Sequence, residues 1–405
     1  MDKKRLGLII LFCLVCVVLG YAIYRIFFYT APTTTLLPPG ELPAGTDFPE
    51  AGEGGIIRPP TTPPGELPAA GEVTPTGAAP TIEEEPRVKQ IVDFSIEGSV
   101  VDPNGDMKFY NKQNGKFYRY DTAGNVELLS DEVFYNVENV TWSPNKNESI
   151  IEYPDGSNIY YNFDSKKQVT LPKHWQEFDF SPTGDKLASK SMGLSPENRW
   201  LITSDPEGNN IQTIEPMGNN SNKVVVDWSP TRQVVALSTT GETLGSYRQE
   251  VLFVGLHGEN FPSIIVEGRG LETEWSTGGE KLLYSVFSPR SEYKPELWIV
   301  NADGEDIGSG RRTLNINTWA DKCTFQDERF VYCGVPNNLQ TGAGFNPSVA
   351  DNTFDTLYKI DTETGTKTEI RLDEAHSIDE IYIGDKGKSL YFTDKTGDGL
   401  YSVEI

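Results

Sequence analysis

The chain has 405 residues, with 59 acidic against 35 basic side chains and a net charge of −24. That balance disfavours nucleic acid, which needs a basic footprint, and adsorption to anionic lipid. Basic proteins, cations and neutral glycans remain as partners.

Residues 1–5 read as a cytoplasmic tail. Leu6 to Tyr24 follows as 19 residues without a charge. At about 1.5 Å per residue this run spans roughly 28 Å, close to a hydrocarbon core of about 30 Å. Lys3, Lys4 and Arg5 precede it, which places the N-terminus inside and everything after Tyr29 outside. Gly20-Tyr21-Ala22 offers a small-x-small cleavage site. However, Ile23 to Tyr29 stays apolar, and the run is long for a signal peptide. Residues 6–29 are therefore read as an uncleaved single-pass transmembrane helix in the cell membrane. Cys13 and Cys16 count as apolar positions within it.

Residues 30–86 are dense in Pro, Gly, Ala, Thr and Glu, and Pro38-Pro-Gly-Glu-Leu-Pro-Ala returns at Pro63. Such a composition cannot bury enough apolar surface to offset chain entropy, so a disordered linker is expected. As a flexible coil it would average roughly 40 Å end to end. The +3 head and the −8 linker leave −19 of the total −24 on residues 87–405.

Residues 87–405 carry a repeat. Trp142-Ser-Pro-Asn, Phe180-Ser-Pro-Thr-Gly-Asp, Trp228-Ser-Pro-Thr and Trp275-Ser-Thr-Gly-Gly-Glu are near-copies. Three weaker matches at Val101, Cys323 and Ile383 make seven units, at spacings of 41, 38, 48, 47, 48 and 60. The longest step holds an insertion near Asn337 to Asn352. Each unit reads as short apolar strands joined by turns such as Asp303-Gly304, the pattern of an antiparallel sheet. A period in the 20–50 range marks a repeat architecture. The expected fold is all-β, a seven-bladed β-propeller rather than a six- or eight-bladed one. The last unit supplies only three strands. Gln90-Ile-Val-Asp-Phe-Ser-Ile has no other assignment, so it is expected to close the ring as the outer strand of the last blade.

The Asp-Trp-Ser-Pro, Lys-Leu-Leu-Tyr-Ser and Leu-Trp-Ile-Val-Asn-Ala-Asp-Gly phrases resemble the TolB-type β-propeller repeat of bacteria. The resemblance covers most of residues 87–405, without a counterpart of that family's N-terminal domain. It implies the fold; propellers host many unrelated functions.

Candidate chemistry is sparse. Asp179, Asp227 and Glu274 precede the aromatic marker in three successive units, on the strand face opposite it. They are candidate metal or basic-ligand residues if that strand is innermost. The preferred reading is that they satisfy backbone donors. Cys323 and Cys333 flank a hairpin and are expected to form a disulfide outside the cytoplasm. Asp394-Lys-Thr-Gly-Asp-Gly resembles the start of a calcium loop but fits a repeat turn better. His174, His257 and His376 show no ligand spacing. There is no Gly-x-Ser-x-Gly elbow, P-loop or dinucleotide fingerprint. The sequence thus reads as a non-enzymatic, extracytoplasmic module without a cofactor. It would bind an unknown protein partner or assist envelope assembly. The alternative is a propeller enzyme, or a glycan- or cation-binding protein, with acidic channel residues.

Overall fold

The computed structural model describes Leu14, Val18, Leu19 and residues 87–405 apart from 385, 386 and 397. The expected transmembrane helix and linker otherwise lie outside the described residues. Among the described residues no helix is long and apolar enough to cross a membrane.

Seven four-stranded antiparallel sheets follow one another along the chain. Blades 1 to 6 occupy residues 96–128, 139–171, 175–216, 224–266, 269–313 and 323–370. Blade 7 takes three strands from residues 378–404 and its fourth from Val88–Val92. Val88 pairs with Val403 and Val92 with Leu400, antiparallel. The ring therefore closes through the outer edge of its last blade as expected, but the closing strand is Val88–Val92, and Ile96 opens the first strand of blade 1 instead. Deep contact enforces the join: a Cβ on Gly399 would lie 2.3 Å from the Val92 carbonyl oxygen.

The first strands of the blades are Ile96–Val101, Asn139–Trp142, Trp175–Phe180, Val224–Val226, Arg269–Trp275, Cys323–Phe325 and Ile378–Gly384. The first strand of blade 1 touches those of blades 2 and 7, and similar contacts join blades 2 to 3, 3 to 4, 5 to 6 and 6 to 7. These seven strands encircle the axis, and the fourth strands form the rim.

The repeated phrase has a physical role at each end. Trp142, Phe180, Trp228 and Trp275 are buried and pack into the preceding blade. Trp142, for example, meets Phe117 of blade 1 edge-on at 5.5 Å. Cys323 takes the same place against Leu283 and Leu297 of blade 5. The following serine closes the first hairpin. The Ser181, Ser229 and Ser276 hydroxyls accept the amides of Lys186, Val234 and Lys281 at 2.9–3.1 Å. A buried hydroxyl that replaces a missing ladder partner keeps the turn tight.

Candidate functional site at the channel mouth

The first strands hold seven carboxylates, Glu97, Glu177, Asp179, Glu272, Glu274, Asp379 and Glu380, against one basic residue, Arg269. Asp227 and Asp321 adjoin the first strands of blades 4 and 6. The innermost strands thus line an acidic axial channel.

Bulges shape its mouth. In blade 1 Glu97 pairs with Tyr110 and Val100 with Lys108, three residues against two. The same slip occurs between Gln176 and Asp179, between Arg269 and Glu272, and between Ile378 and Ile381. A bulge re-aims side chains at the rim of a closed sheet. Blades 1 and 5 place Gly98 and Gly270 at the bulge, at φ 51° and 66°. Blade 3 places Glu177 there at φ 53°. That left-handed backbone disfavours a side chain. Glu177 is anchored instead by the buried Lys190 ammonium at 2.6 Å.

The carboxylates repel one another across the ring. Burial pushes Glu274 up to about 8, helped by Asp227, Asp321 and Glu380. Glu380 belongs to blade 7, so its charge reaches Glu274 of blade 5 past the whole of blade 6. Burial raises Glu272 to about 8 and Asp179 to about 8, with added repulsion from Asp321 and Asp227 respectively. Burial raises Asp227 to about 6. Glu380 rises to about 7 through enclosure, then through Asp379, Glu97 and Asp321. Its side chain is exposed to the channel yet encircled by protein. The encirclement decides its charge, because confined water screens less than bulk.

A cavity of about 350 Å³ opens at the mouth between blades 7 and 1. Glu97, Asp351, Asp379 and Glu380 line it with Lys112 and Lys395. Lys395 bridges Asp351 at 3.1 Å and Asp379 at 3.0 Å. The Tyr382 hydroxyl donates to Glu380. A larger cavity of about 740 Å³, beside Arg87, Glu369 and Glu404, lies at the rim and shares no residue with the channel.

Of the three residues singled out from the repeat, Asp179 and Asp227 reach the next blade, and Glu274 faces the charges of Asp227, Asp321 and Glu380. Asp179 accepts the Trp228 amide at 2.6 Å, and Asp227 accepts the Thr273 hydroxyl at 2.8 Å. No group of three or more His, Cys, Asp or Glu suited to a metal is gathered among the described residues. His174, His257 and His376 lie in three different blades or their approaches. His376 is buried with Nδ1 2.7 Å from Asp394 and its ring against Phe392 and Tyr401. Asp394 also accepts the Thr396 amide at 2.7 Å, an Asx turn. Cys323 and Cys333 face each other across two strands with Cα atoms 4.1 Å apart and their sulfurs bonded.

Sequence reading missed Glu177, Glu272 and Glu380. All three stand three residues before their unit's marker, at Phe180, Trp275 and Ile383. Counting back three positions as well as one would have found them. Asp321 precedes a two-residue-shifted marker and leaves no such signal.

No protein-family model and no curated protein matches the chain. Among solved structures, an oligogalacturonate lyase in complex with manganese aligns at a TM-score of 0.53 and 13% identity, covering 80% of this chain and 94% of that chain. The oligogalacturonate lyase of Vibrio parahaemolyticus aligns at 0.50 and 11% identity, covering 80% and 95%. At these identities the likeness is one of fold, an all-β seven-bladed propeller. It nevertheless corrects the expectation that the chain is not an enzyme. That expectation rested on absent linear motifs. A propeller gathers a site from several blades, so the absence of linear motifs does not argue against an enzyme. The manganese named with the first neighbour finds no fitting ligand set among the described residues.

Proposed function

We propose that the ring is a ligand-binding propeller whose acidic mouth takes a cationic group, the lysine or arginine side chains of a basic segment on a protein partner. The observation that carries this reading is the crowding of the first strands, seven carboxyl groups against Arg269, with raised pKa values at Asp179 and Glu274 that a bound cation would relieve. Lys395 supports it from within the chain, since its ammonium bridges two mouth carboxylates. In this reading the chain is a TolB-like repeat protein. Residues 6–29 tether it to the cell membrane, residues 30–86 hold the ring away, and the ring serves outside as a protein-binding or envelope-assembly module. Titration calorimetry of hexalysine into the full chain in detergent tests the site. Binding should weaken with salt and fall about tenfold or more in the Asp227→Asn/Glu380→Gln double variant. Absence of binding heat in wild type ends the reading.

Acid–base catalysis is the second reading. Glu272, Glu274 and Glu380 exchange protons at about 7 to 8, where general acids and bases work best at neutral pH. A neutral or cationic substrate suits this channel, because the field of its carboxylates repels an anionic sugar such as oligogalacturonate. Turnover with a pH profile that Glu380→Gln abolishes would favour this reading.

A further inference from the structure

The channel leaves one exposed feature of its own face unused. In an antiparallel blade, the second-to-third-strand connection returns to the end where the first strand began. Residues 239–248, 288–294 and 337–354 are such connections in blades 4, 5 and 6, so all three lie on the channel-mouth face. Tyr247, Tyr293 and Phe345 stand in a row across them, with ring centroids 5.9 and 5.2 Å apart. Arg269 lies 5.8 Å over Tyr247 at one end, and Phe345 meets Phe287 at 4.6 Å at the other.

The row is seated firmly. The Gly342 and Gly344 amides donate to the carbonyls of Glu292 and Tyr293 at 2.9 and 2.8 Å. A Cβ on Gly344 would come within 2.5 Å of Phe287, so only glycine lets the blade 6 insertion sit this close. Phe345 is nonetheless 61% exposed. The fold holds its backbone down and displays its ring.

The blade 6 loop is neutral and hydrogen-bonding, and nearby charges of blade 5 are paired, Lys294 with Glu292 at 2.9 Å and Arg290 with Glu296 at 2.7 Å. Residues 337–354 contain one charged side chain, Asp351, which Lys395 engages. Asn338, Gln340, Thr341 and Asn346 are exposed amides and hydroxyls. Aromatic faces pack on the C–H faces of sugar rings, and amides pair with sugar hydroxyls without a charge on either side. The net charge of −24 disfavours a polyanion. We propose that this platform binds a neutral glycan, at a site separate from the acidic channel.

An array of neutral hexose and N-acetylhexosamine oligosaccharides, with oligogalacturonides alongside, tests this with the full chain in detergent. Wild type should bind at least one neutral class. Phe345→Ala and Tyr247→Ala should each lower that binding about tenfold, the loss of roughly 1.4 kcal/mol of ring contact. Glu380→Gln should leave it unchanged, which separates this site from the channel. Thermal melts of each variant confirm that the ring stays folded. No binding to any neutral glycan overturns the proposal. So does binding that survives both aromatic substitutions, or binding confined to oligogalacturonides.

Discussion

The Asp179 carboxylate of blade 3 accepts the backbone amide of Trp228 in blade 4 at 2.6 Å. Each residue belongs to the same repeated phrase, one unit apart. The aromatic marker of a unit packs backward into the preceding blade, and the acid just before it reaches forward to the next. Strand alternation forces this division, because neighbouring side chains leave opposite faces. The acids so placed also border the channel, where burial raises both and the charge of Asp227 raises Asp179 further.

The channel carboxylates should make stability fall with rising pH. For an acid whose folded pKa is raised, the unfolded chain ionises first, near 4.5 for Glu274. Stability is then lost progressively until the folded group ionises at about 8. Glu274→Gln should remove that loss, gaining on the order of 2 kcal/mol at pH 8 and little at pH 4, after discounting for channel water. Urea titrations at both pH values check it. An equal effect at both would show that Glu274 titrates alike in the folded and unfolded chain.

Removing Val88–Val92 should open the ring. The strand pairs along Val403 to Leu400, and Val92 is buried against the core of blades 7 and 1. Without it blade 7 keeps three strands and an uncovered edge. The melting temperature should drop by about 10 °C or more, since several kcal/mol of burial and pairing are lost together. An unchanged melt would sink the idea of closure through this strand.

Lys322→Met should cost about 3–5 kcal/mol. Both Asp355 oxygens lie 2.9 Å from the Lys322 ammonium, and one also accepts the Ile378 amide at 2.7 Å. The substitution leaves a buried carboxylate without its counter-charge at the junction of blades 6 and 7. Denaturant unfolding measures the loss. A change below about 1 kcal/mol would mean that the Ile378 amide alone satisfies Asp355.

Trp142→Phe isolates one inter-blade hydrogen bond. The indole Nε1 donates to the Gly98 carbonyl at 2.6 Å, linking blades 2 and 1. Phenylalanine keeps an aromatic ring against Phe117 and Phe163 but leaves that carbonyl unpaired. The expected cost is about 1–3 kcal/mol. A Gly98 amide whose hydrogen exchange is unaltered in the variant would argue against coupling of the two blades here.

The repeat was legible because its residues do local work. Ser181, Ser229 and Ser276 each close a turn within five residues, and the aromatic before each fills one interface. The serine closure recurs in blades 3, 4 and 5 and the buried marker in blades 2 to 6, so they print a period on the chain. Seven units and the closing strand followed from that period alone. The bulge at Glu177 printed nothing, because blades 1 and 5 meet the same backbone demand with glycine.

By itself, then, the sequence determined the all-β ring, its blade count and its closure. Only the tertiary structure decided which carboxylates meet. Glu274 and Glu380 are 106 positions apart, and they sense each other because ring closure curves blades 5 and 7 around one axis. Likewise Tyr247, Tyr293 and Phe345 become a row only when three loops fold onto one face. Local periodicity encodes the blade. Electrostatics through a shared channel depends on distance in space, which no linear spacing records.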